Sequence, residues 1–530
     1  MNTKLNAYDV IIIGSGLGSI ACASFIAQMY KLKVLVIEQH ARPGGLSQAI
    51  VTDHDAELEI GIHQVGELEP DSMFTKLMSY ISDGQSVWRK LPDTFIKFHF
   101  PDFVYEVTAG EANQIARLCE LFPSEEANIR QYYKDIELVT KWYRSFTTES
   151  LNNDKSKLSA LLDLEPGRIA MMTTEAYLNY RFTNEKLKSL IASHWTDYGL
   201  PPQLSAFLKH AILVNNHKEG VYYPNFGSTQ LIDSIVKTIE RNGGVFVFDS
   251  LVKEVKYENQ TATAVTVLNK KNNEETTIKA GIIISGIGLF NTYARLLDQK
   301  LAPEKLEALN SFKNQGVSFV KLFATLKSDP RVAGADASLS WVYPGYNHYQ
   351  NFTERNKFAS EFISQFSISF PSLKKEEHVK HTMKINTLVD YDTFMQLSYN
   401  GADEEGYAKL KQEIGKALLN AAEKLYPGLT ELIDSWDLYT PASAKRDTGH
   451  YKGNIFGMPD TPERYKNLDF NCFTPLENVY VTGSDITSSG VYGAILSGAL
   501  TASAAFKDKQ FFLKVIQKTS PKKIKEENIV

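Results

Sequence analysis

The residues best suited to chemistry lie near the start of the chain. Gly14-Ser15-Gly16-Leu17-Gly18-Ser19 form a glycine-rich turn, and an acid, Glu38, follows about 20 residues later. This spacing suits a dinucleotide. Gly14 permits a tight turn, and Gly16 lets the backbone approach a pyrophosphate. The first amides of a following helix, at its positive end, would bind phosphate oxygens. Glu38 would accept from ribose hydroxyls. The third glycine position of the fingerprint, where helix packs on strand, is Ser19, with Gly18 beside it. Serine is small enough for that task.

Such a turn works only if flanking elements hold it. Val10 to Ile13 reads as a buried strand, and an amphipathic helix is predicted to about Tyr30. Val34 to Ile37 is a second buried strand, ending at Glu38. Beyond it runs Gln39-His40-Ala41-Arg42-Pro43-Gly44-Gly45. An NAD domain has no need of Arg-x-Gly-Gly there. The combination resembles the flavoprotein superfamily of amine oxidases and carotene desaturases, which implies FAD. In that resemblance Glu38 binds the adenosine ribose, and Arg42 with Gly44-Gly45 lies along the diphosphate.

At 530 residues the chain suggests two to four domains. With 43% hydrophobic and 22% charged residues it can bury a large core without disulfides or metals. A net charge of -5 argues against a nucleic-acid partner. The 29 Phe and 26 Tyr could fill a core or line an apolar tunnel. Cys22, Cys119 and Cys472 make no metal spacing and no disulfide framework, which fits a reducing compartment. The first strand starts almost at once, so no signal peptide is expected. No apolar run reaches the roughly 18 residues of a membrane span. The expected location is cytoplasmic. The tail has two readings: Phe512, Val515 and Ile516 share a helical face amid lysines. One is a docked C-terminal helix; the other is peripheral contact with anionic lipid.

The middle of the chain alternates. Residues 70–240 are mostly helical by pattern: 71–82, 110–121, 125–147, 184–194 and 229–241. Strands follow from Gly243-Gly244, at Leu251–Tyr257, Ala262–Leu268, Thr276–Ile278 and Gly281–Ser285. Residues 310–440 mix strands (Val317–Leu326, Ile363–Ser369, Met383–Asp390) with a helix, Gly406–Leu425. The strand ending Ser285-Gly286-Ile287-Gly288 returns the sheet to the cofactor or opens a second, NAD(P) site. The first is preferred, because no helix and acid follow at the right distance.

Four further segments extend the resemblance: Glu59–Gly66, Leu213–Ser228, Ser285–Tyr293, and Asn478–Gly498 with its Thr482-Gly483-Ser484-Asp485. Over roughly residues 8–508 the chain resembles the retinol saturase branch of the carotenoid desaturase and isomerase flavoproteins. The implied fold is α/β, an FAD-binding Rossmann-like domain of amine oxidase and phytoene desaturase type, with a mixed-sheet substrate domain and a helical insertion. The FAD domain would comprise 1–70, 226–300 and 446–508. The helical insertion would be 71–225, the substrate domain 301–445, and the Lys-rich tail 509–530.

The resemblance implies cofactor contacts at Gly14, Ser15, Gly16, Gly18, Ser19, Glu38, Gln39, Arg42, Gly44, Gly45, Leu46 and Ser47. It adds Ile62, His63, Val252, Ser285, Gly286, Gly483, Asp485, Gly490, Val491, Gly493 and Ala494. Asp485 would accept from ribityl hydroxyls, and amides near Gly490–Ala494 would face the flavin pyrimidine. His63 is the candidate catalytic residue, against a plain reading as a histidine packed in a turn. Tyr222, Tyr223 and Pro224 are expected to shape the cofactor pocket. Asp447 and His450 face the substrate or lie on a surface loop, and Trp195, Asp197 and Tyr198 default to core.

The chain departs from the family at three places. Asn225-Phe226-Gly227 stands for the usual Arg-Gly-Gly, Glu59 for an aspartate, and Gln64 for a tyrosine. The activity implied is hydride transfer between flavin and one carbon of a double bond in an apolar polyene or lipid. A proton would move at the neighbouring carbon. An external electron donor or acceptor would complete the cycle. Desaturase or cis–trans isomerase chemistry is the alternative, and a non-catalytic FAD-containing carrier the third reading.

Overall fold

The computed structural model describes residues 7–51, 57–312, 316–359, 362–394 and 403–519. Two seven-stranded sheets organise them.

The first sheet runs Ser250–Glu258, Thr261–Asn269, Glu275–Ser285, Ala7–Ile13, Val34–Ile37, Val245–Val247, and Val479–Val481 also pairs with Glu275–Ser285. Ala7–Ile13 lies parallel between Glu275–Ser285 and Val34–Ile37, with Ile13 opposite both Ser285 and Ile37. Its residues alternate between two buried faces. Val10 and Ile12 join Val34, Val36 and the helices on one side. Ile11 and Ile13 join Leu35, Ile37, Val265 and Val479 on the other. Burial on both faces explains the unbroken apolar runs in the sequence. The strands expected at 276–278 and 281–285 form one strand, Glu275–Ser285, which pairs antiparallel with one neighbour before running parallel to others.

The helix Leu17–Tyr30 has the expected ends but not the expected amphipathicity. Leu17 to Gln28 are all buried. The helix is enclosed by Gly227–Arg241, Val491–Ala505 and the sheet, and a helix covered all round is apolar all round. Gly498 allows the closest of these approaches, since a Cβ there would lie 2.7 Å from the Gly18 carbonyl.

The second sheet runs Ile433–Tyr439, Ser318–Leu326, His381–Val389, Phe366–Ser369, Leu339–Val342, Thr94–Phe100, Phe103–Thr108. Only Leu339–Val342 with Thr94–Phe100 is parallel. The hairpin at 94–108, read from the sequence as part of a helical region, therefore extends the sheet built by 318–439. Val320, Leu322 and Ala324 pack under the helix Glu404–Leu425. The alternate residues Phe319 and Lys321 face the other way, into a cavity between the two halves. The helix Phe207–His217 and the 3-10 turn Ser193–Asp197 close this side, and the helix Glu126–Ser150 packs behind the former.

The C-terminal helix Phe511–Thr519 docks. Phe511 and Val515 are fully buried, and the Phe511 ring meets Phe25 edge-on at 5.1 Å. Of the face read for lipid, Val515 is buried against the protein, whereas Phe512 and Ile516 are only partly buried. The lysines from 520 onward lie outside the described residues. No helix among the described residues is long and apolar enough to cross a membrane.

Candidate functional site

The glycine turn sits at the carboxyl ends of the parallel strands. Gly14 takes a positive φ of 87° and donates from its amide to the Ile37 carbonyl at 2.8 Å. Glu38 is buried and is already bonded within the chain. Its Oε2 accepts from the Ser15 amide at 2.9 Å and the Ser15 hydroxyl at 2.6 Å, and its Oε1 from the His40 amide at 2.9 Å. A carboxylate offers about four lone-pair sites. Glu38 thus holds the turn in shape and keeps capacity for one further donor. The Gly44 amide donates to the Ser15 carbonyl at 3.0 Å, and a Cβ on Gly45 would sit 3.2 Å from Gly16 Cα. The Arg-x-Gly-Gly segment is therefore the second wall of the same cradle.

Ser19 at the third fingerprint position is explained across the sheet. A Cβ on Gly286 would collide with the buried Ser19 hydroxyl. The glycine the fingerprint lacks at 19 has been moved to its neighbour. Gly286 also donates its amide to the Ile13 carbonyl at 2.8 Å. Residues 285–288 therefore belong to the first dinucleotide site and do not open a second one.

One continuous cavity of about 690 Å³ joins this cradle to the second sheet. It is lined by Gly14, Ser15, Gly16, Gly18, Ser19, Glu38, Gln39, Arg42, Gly44, Gly45, Leu46, Ser47, Ile62, His63, Val252, Gly286, Gly483, Asp485, Gly490, Val491 and Ala494. Two expected residues stand behind the wall. The Ser285 hydroxyl pairs with Thr292 Oγ1 at 2.7 Å, and Gly493 packs against the Ser488 carbonyl. Side chains at Gly16, Gly483 or Gly490 would meet nothing within 4 Å. These three glycines, the first turn of Leu17–Tyr30 and the first turn of Val491–Ala505 shape a long, backbone-lined trough. A trough of this kind fits FAD, whose phosphates and flavin need amides at close range. Asp485 is also more than a ribityl acceptor. Its Oδ2 accepts from the Leu289 amide and its Oδ1 from the Met458 amide, both at 2.8 Å, which ties three distant segments together.

His63 lies in the wall with its Nδ1 lacking a partner among the described residues. Burial, then Lys384, Lys321 and Lys374, push its pKa well below the usual histidine range. A neutral imidazole is what this site favours, not an imidazolium acid. The lysines also position the segment. Lys384 Nζ donates to the Glu59 and Ile62 carbonyls at 3.0 and 3.3 Å, and Lys374 Nζ to the His63 carbonyl at 3.1 Å. Burial lowers Lys384 to about 8 and Lys374 to about 7.

Tyr222, Tyr223 and Pro224 do not line the cavity. They form a short strand with Trp88–Lys90, and Tyr222 bridges to Val65, which braces the His63 segment from behind. Phe226, which stands where the family has a glycine, is exposed on the outer surface. Asp447 and His450 do line the cavity, but beside the cofactor cradle: Gln48 Nε2 reaches the Asp447 carbonyl at 3.3 Å, and Gly449 packs on Gln39. Trp195 and Tyr198 are core, as expected, whereas Asp197 lines the cavity. Residues not read from the sequence include Phe319, Lys321, Leu339, Trp341 and Asn386 on the second sheet, and Lys209 and Asn216 on a helix. Strand alternation around Lys321, a lysine inside an otherwise apolar strand, was the available signal for that wall. No group of three or more potential metal ligands occurs among the described residues.

A sheet with a parallel centre, a glycine cradle, a distant Thr-Gly-x-Asp return and a mixed-sheet second half make an α/β fold with a Rossmann-like domain, of the kind seen in amine oxidases. Residues 12–81 match the model of the NAD(P)-binding Rossmann-like domain. In solved structures the chain is similar to cyclohexylamine oxidase from Brevibacterium oxydans, with a TM-score of 0.61 and 13% identity over 94% of this chain and 99% of that one.

Among proteins of known name, it is 26% identical to the all-trans-retinol 13,14-reductase of Danio rerio, over 95% of this chain and 87% of the relative. It is 28% identical to an inactive all-trans-retinol 13,14-reductase of the same fish, over 93% and 85%. It is 24% identical to the chloroplastic prolycopene isomerase of Daucus carota, over 93% and 79%.

Proposed function

We propose that this chain is an FAD-dependent oxidoreductase that saturates a carbon–carbon double bond of an apolar polyene. The observation that carries this is the continuity of the cavity. The backbone trough opens directly onto a compartment walled by Ile62, Phe319, Leu339, Trp341 and Phe456. An apolar chain lying there would sit next to the cofactor trough, where a flavin could reach one of its double bonds. Relatives named for retinol reduction and for prolycopene isomerisation support the substrate class.

When bound, FAD supplies a hydride from its ring nitrogen. The chain's own residues do the rest. Gly14 to Ser19, Glu38 and Gly44-Gly45 would hold the nucleotide, and the first turn of the helix starting at Val491 would face the flavin. The apolar wall aligns the polyene and excludes water. The second hydrogen would come as a proton from water, delivered to the carbon beside the one that takes the hydride, and His63, held neutral, is not its acid. An external electron donor restores the flavin, and contact of the Lys-rich tail with a membrane is a separate proposal that rests on residues beyond 519.

The test is an anaerobic single turnover of pre-reduced, FAD-loaded protein with a polyene. A product that gains two hydrogens while the flavin reoxidises is expected. A rearranged product of unchanged mass would establish the isomerase reading instead. A flavin that neither reoxidises nor alters any polyene would leave only a carrier.

A further inference from the structure

The loop that joins Val479–Val481 to Val491–Ala505 has few backbone bonds of its own, although Gly483, Ser484, Asp485, Ser488, Ser489 and Gly490 line the cavity. Ile486 donates to the Gly483 carbonyl at 3.2 Å and Thr487 to the Ser484 carbonyl at 3.3 Å. From Ser488 to Gly493, no backbone amide donates to an acceptor among the described residues. Something other than the loop's own backbone must set its shape.

Three side chains from outside the loop do so. Arg464 Nη2 donates to the Ser484 carbonyl at 2.6 Å and to the Thr487 carbonyl at 3.3 Å. Lys209 Nζ, on the helix Phe207–His217, donates to the Ser489 carbonyl at 2.6 Å. Asp460 joins the two. Its Oδ1 accepts from Arg464 Nη1 at 2.7 Å and from the Tyr465 hydroxyl at 2.6 Å. Its Oδ2 accepts from the Ser489 hydroxyl and stands 3.9 Å from Lys209 Nζ. All three side chains are more than nine-tenths buried, and Asp460 and Arg464 lie outside the cavity lining.

A buried ion pair is weak evidence for stability, since apolar residues of the same volume often do as well. The use of this one is geometric. A trans peptide is planar, and its N–H points opposite to its C=O. Holding the Thr487 and Ser489 carbonyls therefore also orients the Ser488 and Gly490 amides, away from the cations. Reduced flavin gathers negative charge, and oriented amides stabilise such charge.

We propose that Asp460, Arg464 and Lys209 form a clamp that sets the amides of this loop for the reduced flavin. They are positioning residues, acting through the carbonyls of Ser484, Thr487 and Ser489 and the Ser489 hydroxyl. The inference rests on the FAD reading of the trough, with the helix start at Val491 toward the flavin.

The test is the midpoint potential of FAD-loaded protein, read against a reference dye during slow reduction, with thermal melting measured alongside. Asp460→Leu is the main variant. Removing a nearby negative charge would by itself favour reduced flavin and raise the potential. Loss of the clamp does the reverse. Reduced FAD is expected to lose about tenfold in affinity relative to oxidised FAD, the range of one hydrogen bond to a charged group. A raised or unchanged potential, whatever the melting temperature, would overturn the clamp and leave the FAD reading intact. Should Asp460→Leu fail to fold, Ser489→Ala decides. It removes one hydroxyl and no charge, and a shift of about threefold in the same direction is expected. No shift there would overturn the clamp. Unaltered protein that binds no FAD would remove the FAD reading and the clamp together.

Discussion

The two ends of the cavity are built from different materials. The cofactor end is made of backbone: glycines at 14, 16, 44, 45, 483 and 490, and two helix starts. The substrate end is made of side chains: Phe319, Lys321, Trp341, Asp197 and His217, drawn from a mixed sheet and a helical cap. A backbone site tolerates one ligand shape, because amides cannot be swapped. A side-chain site can be retuned residue by residue. The difference predicts that substitutions at the first end abolish cofactor binding, while those at the second change which ligand is accepted.

The sharpest test is Gly16→Val. Gly16 has a negative φ of -59°, and a Cβ there meets nothing within 4 Å. The variant should fold normally by circular dichroism yet lose bound flavin, with affinity falling about 100-fold or more through exclusion of the pyrophosphate. Retained flavin would mean that the trough is not the phosphate site.

Acid should break the comparison in the other direction. Among the described residues, burial lowers His217 and His348 to about 4 and His210 to about 3, all on the substrate side. Between these values and the ordinary 6.5, the unfolded chain binds more protons than the folded one. Their contribution is whole above pH 6.5 and is lost as pH falls toward 4, about 3 kcal/mol for His217 alone. Hydrogen exchange at pH 5 should show the helices around 126–217 opening before the strands 7–37.

The relocated glycine offers a double-mutant test. Gly286→Ala should destabilise by about 1–3 kcal/mol through the clash with Ser19. Adding Ser19→Gly should recover most of that, a coupling readable in urea melts. Simple additivity would show that the two positions do not share one space.

The smallest effect is expected at Phe226. Its ring faces solvent, so Phe226→Gly should leave ligand affinity within about twofold and stability within about 1 kcal/mol, the cost of added backbone freedom. A changed substrate preference would place this departure from the family back in the pocket.

Much of the cofactor end was legible in the sequence because its signals are local. A buried strand, a glycine turn, a helix and an acid lie within a stretch shorter than 40 residues, about the span of one βαβ unit, and the period of each element is written in its own residues. Even there, two features escaped. The helix Leu17–Tyr30 is apolar all round because three distant elements enclose it, Ser285 lies behind the wall at the end of its strand, and Gly493 is turned toward Ser488 in the first turn of its helix. At the substrate end, little was legible. Lys321 and Asn386 are register partners across two strands 60-odd residues apart in sequence, about the length of a small domain. Asp197 looked like core because its neighbours Trp195 and Tyr198 are.

By itself the sequence determined the dinucleotide cradle, since backbone geometry at glycines and helix starts is a local property that residue types dictate. Only the tertiary structure decided where the charges go. It turned Phe226 outward, docked Phe511 of the C-terminal helix against Phe25, and brought Asp197, His217, Lys321 and Asn386 from separate elements into one cavity lining. Those outcomes depend on which elements pack together, and packing joins residues that no spacing along the chain connects.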